Sequence, residues 1–77
     1  MKKTAKELHE EAFFGPRDPR SKEYKSGVLA ALKFRLGESC AVGMCPYPLG
    51  SAQQDAWFSG IDEGHRLGRD YLYPVDA

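Results

Sequence analysis

Two cysteines, Cys40 and Cys45, and two histidines, His9 and His65, carry the donor types of a structural zinc site. Four residues separate the cysteines, wider than the usual close pair but within the range of structural zinc sites. Two reduced thiols are the simpler reading, and a Cys40–Cys45 disulfide would belong only to an oxidising compartment. Cys45 would act as a nucleophile only with a base such as His65 within hydrogen-bond reach and an oxyanion site beside it. The acidic residues offer no hydrolase pair, because Glu7, Glu10 and Glu11 read as the solvated face of a first helix. No glycine-rich loop ending in lysine is present to cradle a nucleotide phosphate. No catalytic residue, metal site or cofactor is therefore assigned, and neither an enzyme nor a small-molecule substrate is expected.

Length and charge point the same way. The chain has 77 residues, room for one domain and too short for a Rossmann or barrel enzyme with its own cofactor cleft. Eleven basic and eleven acidic side chains cancel, which argues against a generic nucleic-acid coat and a polybasic membrane binder. A hydrophobic content of 42% is enough to fold on. No apolar stretch follows Met1-Lys2-Lys3-Thr4, and no run approaches the length of a membrane span. A cytoplasmic location is the expectation.

The elements that would position any site are helical. Thr4 with Glu7 forms a capping-box pattern opening a short helix that Gly15-Pro16 ends. A polar linker follows, and Ser21 is a plausible cap for a second helix over 22–36, where Tyr24, Val28, Leu32 and Leu36 recur every fourth residue. Gly37 is placed to terminate it. Gly43, Pro46, Pro48 and Gly50 forbid a continuous helix through the central connection. Ser51 with Gln54 then starts a third helix carrying Trp57, Phe58, Ile61 and Leu67, expected to fray near Gly68. The fold class is all-α: a small helical hairpin of two main helices with a short N-terminal helix. The divisions are 1–20 for the N-terminal helix and linker, 21–70 for the hairpin, and 71–77 for an aromatic tail.

Ala56, Gly60, Gly64 and Gly68 lie four apart and so form one ridge of the third helix. Each interior glycine costs about 0.5–1 kcal/mol relative to alanine, so close approach by another helix is needed to offset them. Gly27 and Ala31, also four apart, give the second helix a matching face, with Trp57 and Ile61 expected to flank the seam.

The string Cys45-Pro46-Tyr47, the cap Ser51, then Trp57, Gly60 and Gly64, preceded by Gly27 and Ala31, resembles the ribosome modulation factor family. The resemblance covers roughly residues 22–68. It implies the helical hairpin, with those residues as its structural motif. It also implies binding to small-subunit ribosomal RNA and the pairing of inactive ribosomes. The chain differs from the family in its neutral charge, in Gln53, Gln54 and Asp55 before the tryptophan, and in Ile61 where a second tryptophan usually stands.

Two functions are thus weighed. The first is a small regulatory protein, of a kind borne by phages or mobile elements, that binds and modulates or inhibits a host complex through a protein interface. Its anchors would be Phe13, Phe14, Tyr71 and Tyr73, and homodimer formation could use the same aromatics. The second is ribosome or rRNA binding by Arg17, Arg20, Lys22, Lys25, Lys33 and Arg35, which cluster on and before the second helix.

Overall fold

The computed structural model describes residues 3–13 and 21–73, and within them it is all-helical. Helix α1 spans Ala5–Ala12, α2 spans Lys22–Arg35 and α3 spans Ala52–Leu72. Each begins at a capped residue. The Thr4 hydroxyl accepts from the Glu7 amide while the Glu7 carboxylate accepts from the Thr4 amide, a complete capping box. Ser21 accepts from the Tyr24 amide and Ser51 from the Gln54 amide. The Gln54 side chain accepts from the amide of Gly50, one residue outside the reciprocal pairing expected of it.

Helix α2 closes at Gly37, whose φ of +78° lies in the left-handed region that favours glycine. The Glu38 amide donates to the Lys33 carbonyl at 2.8 Å, and the Gly37 amide to that of Phe34 at 3.2 Å. This is the Schellman pattern, and it satisfies carbonyls that the helix end leaves open.

Helices α2 and α3 meet along the glycines. A Cβ built on Gly60 would strike the backbone carbonyl of Tyr24, and one on Gly27 the carbonyl of Trp57. On Gly64 it would lie 2.7 Å from the Ala31 Cβ, and on Gly68 2.8 Å from the Arg35 Cβ. Backbone therefore rests on backbone, and the cost of interior glycine is offset by contacts that no larger residue permits.

The order of these contacts fixes the direction of the pair. Gly60 meets Tyr24 and Val28, Gly64 meets Val28 and Ala31, and Gly68 meets Leu32 and Arg35. Residue numbers rise together, so α2 and α3 run side by side in the same sense. They do not turn back on one another as the expected hairpin would. Residues 37–51 instead return along the pair, which extended chain does at about 3.3 Å per residue against about 1.5 Å for helix. On the way Val42, Cys45 and Tyr47 pack against the buried cluster of Ala31, Trp57 and Ile61.

The antiparallel neighbour of α2 is α1. Ala5 donates its amide to Glu38 Oε2 at 2.7 Å beyond the C-terminal end of α2, and Phe13 stands edge-on to Tyr24 near its start. Ala5, Val28 and Leu32 are fully buried together, with Leu8, Phe13, Leu29, Leu36 and Leu67 packed around them. The expected fraying at Gly68 is also corrected. Helix α3 continues to Leu72, because Gly68 is buried under the Arg35 side chain and its seam contacts carry the helix through.

Candidate interaction surface

The potential zinc donors stand apart. His9 Nε2 donates to the Lys25 carbonyl at 3.0 Å, and the His9 ring lies 5.0 Å from that of Phe13. His65 Nδ1 accepts from Arg35 Nε at 3.0 Å, with Phe34 edge-on to its ring. Cys40 is exposed and Cys45 half-buried beside Trp57, and both are free thiols. Among the described residues, no three His, Cys, Asp or Glu side chains converge on a point that could hold a metal ion. An open hollow of about 220 Å³ lies where the connection crosses α2, lined by Ser26, Leu29, Ala30, Lys33, Ser39, Ala41 and Val42. Small-molecule sites are deeper, about 300–1,000 Å³, with convergent polar groups. No described helix is long and apolar enough to cross a membrane.

The aromatic anchors are divided by the packing. Phe13 is turned inward against Tyr24, with Lys25 Nζ 5.5 Å from its ring centre, so it belongs to the docking of α1 rather than to a free surface. Tyr71 is half-buried on α3, and its hydroxyl accepts from the Lys3 amide at 2.6 Å. Tyr73 is open to solvent, and Phe14 lies outside the described residues.

The basic residues are likewise dispersed. Lys22 and Lys33 are exposed on one outward face of α2, eleven residues apart and so on nearly the same azimuth. Lys25 is half-buried beside α1, and Arg35 leans the other way, over Gly68 and His65. Arg17 and Arg20 lie outside the described residues. Elsewhere, ion pairs on the surface join Lys3 to Glu11, Arg66 to Glu63 and Arg69 to Asp70. A hydrogen bond to Glu11 at 2.8 Å raises the Lys3 ammonium above its ordinary value, and one to Glu63 raises the Arg66 guanidinium. The amide and hydroxyl of Thr4 hold the Glu7 carboxyl below the usual carboxylate range.

The residues of the family-like motif all lie at or beside the packed interior. Gly27, Ala31, Gly60 and Gly64 form the seam, Trp57 is buried against it, and Cys45 and Tyr47 cover Trp57. Pro46 is exposed between those two, and Ser51 caps α3. The exposed apolar material is elsewhere. Met44 and Leu49 are each 93% exposed in the connection, and Phe58 is 49% exposed beside the Trp57 ring. Sequence reasoning passed over these three. A signal was present: Leu49 between Pro48 and Gly50, and Met44 beside Gly43, belong to no helical period and so have no face to bury.

Comparison of the chain with protein families, curated proteins and solved structures finds no match.

Proposed function

We propose that this chain is a small non-enzymatic regulatory protein related to the ribosome modulation factor family, and that it engages a host macromolecular complex through a protein interface. The observation that carries the reading is the near-complete exposure of Met44 and Leu49 on a connection whose neighbours Cys45 and Tyr47 are anchored against Trp57. Two large apolar side chains held out by an anchored backbone are poor for a monomer's solubility and good for desolvated contact. The same anchoring lowers the conformational cost of binding. The compartment consistent with such a partner is the cytoplasm.

The test is capture of partners from nuclease-treated bacterial lysate at high salt, by the wild-type chain and by Met44→Asp/Leu49→Asp. A discrete protein set retained by the wild type and lost by the variant supports the reading. Equal retention by both sinks it. The second reading, ribosome or rRNA binding, rests on Lys22 and Lys33 sharing the outer face of α2. It requires recovery of ribosomal subunits that falls steeply with salt and disappears with nuclease.

A further inference from the structure

One side of α3 carries a stripe of side chains reaching solvent. Phe58, Asp62, His65, Arg69 and Leu72 follow at intervals of four, three, four and three, the spacing that keeps a line of side chains on one side of a helix. The stripe lies on the solvent side: Phe58 is 49% and Leu72 38% exposed, Asp62 and Arg69 are exposed, and His65 is half-buried. Phe34, 42% exposed, extends the apolar surface from α2 against the edge of His65.

About His65 the stripe is its own charge complement, running apolar, acidic, histidine, basic, apolar. A two-fold axis through His65 therefore superposes the stripe on its own complement. We infer that a second copy of this chain docks here, α3 against α3 in antiparallel sense, in an isologous dimer. Phe58 of each protomer meets Leu72 of the other at the two ends, and Asp62 of each comes within one turn of the other's Arg69. His65 meets its own mate on the axis, its Nδ1 already occupied by Arg35.

Charge complementarity selects the second copy over an unrelated partner. Asp62 has no ion pair among the described residues, and Arg69 has only its neighbour Asp70 at 3.4 Å, with both side chains more than half exposed. That contact is long and solvent-screened, so Arg69 is free to exchange it for a better partner. A copy of the same helix supplies both missing charges at once and covers both exposed apolar ends. The surface is distinct from Met44 and Leu49, so the dimer does not depend on the function proposed above.

A charge-swap experiment tests this, read by sedimentation equilibrium on the full chain from micromolar to millimolar concentration, with circular dichroism confirming that each variant is helical. The wild type is expected to dimerise. Asp62→Arg and Arg69→Asp are each expected to weaken association by about tenfold or more, because like charges then face one another twice. An equimolar mixture of the two single variants is expected to recover a mixed dimer, since one chain is then basic and the other acidic along the stripe. The double variant D62R/R69D is expected to recover its own. A wild type that stays monomeric throughout overturns the proposal. So does a dimer that both single variants leave unchanged, or a mixture of folded variants that fails to recover association.

Discussion

The α2–α3 seam and the seat of α1 are built on opposite principles. At the seam, backbone lies on backbone: Gly27 faces the Trp57 carbonyl, Gly60 that of Tyr24, and Gly64 that of Val28. Nothing there can swing aside. At the seat of α1 an eight-residue helix lays Ala5, Leu8 and Phe13 on Val28 and Leu32. Polar ties fasten it at intervals: Lys3 amide to Tyr71, Ala5 amide to Glu38, and His9 to the Lys25 carbonyl. A helix of that length is marginal alone in water, so tertiary contact keeps it folded. The contrast teaches that one interface is decided by shape and fails entirely when shape changes. The other is a sum of small contributions that can be removed one at a time.

The largest expected effect breaks the seam. Gly60→Leu places its side chain in the Tyr24 backbone and should cost about 3–5 kcal/mol. That equals the whole stability expected of a core this small, about 3–5 kcal/mol, so circular dichroism should show loss of the cooperative melt. The control is Gly43→Ala. No atom lies within 4 Å of its added Cβ, and only the φ of +90° opposes it, so the cost should be about 1 kcal/mol. Equal melting of the two variants would show that the seam is not decided by shape.

Leu32→Ala probes the place where the two interfaces meet. Leu32 is fully buried beside Ala5, and its Cδ2 would lie 3.6 Å from a Cβ built on Gly68, so its truncation should cost about 2–5 kcal/mol in chemical denaturation and loosen α1 and α3 together. Loss confined to α1 would separate the two regions more sharply than the packing implies. Glu38→Ala removes only a tie, leaving the first amide of α1 without its carboxylate. It should cost about 1 kcal/mol and speed amide exchange in α1 while α2 and α3 keep their protection.

The smallest effect is that of pH on the α1 cap. Glu7 has a folded pKa below its unfolded value, chiefly because its carboxylate accepts from the Thr4 amide. Its stabilisation is present above the ordinary glutamate range and is lost as pH falls through the depressed folded value. A carbon-detected titration should show Glu7 protonating below the ordinary glutamate range, with fraying of α1 following that transition. Fraying that begins at neutral pH would assign the loss to another group.

Capping and turn residues made the helix boundaries readable, because an amide and a hydroxyl three residues apart settle a helix start with no help from the rest of the chain. Thr4 with Glu7, Ser21, Ser51 and Gly37 are such local signals. The candidate surface was read less well. Phe13, an expected anchor, is used inside; Tyr73 is exposed as expected, but Met44, Leu49 and Phe58 add exposed apolar area that the aromatic pattern does not mark. Aromatic content at the chain ends gives no measure of what packs upon it. That depends on α1 folding across α2, a relation between segments far apart in sequence.

What the sequence determined by itself, then, is the all-α class, the starts of the helices and the small-residue ridges that let two of them touch. Each follows from contacts within a few residues or from volume that a glycine lacks. Only the tertiary structure decided that α2 and α3 run in the same direction, that α1 rather than α3 is the antiparallel neighbour of α2, and that α3 passes Gly68 unbroken. A ridge of glycines is as smooth in one direction as in the other, so its spacing carries no sense of direction. The return path of residues 37–51 and the cover of Arg35 over Gly68 supply what the pattern leaves open.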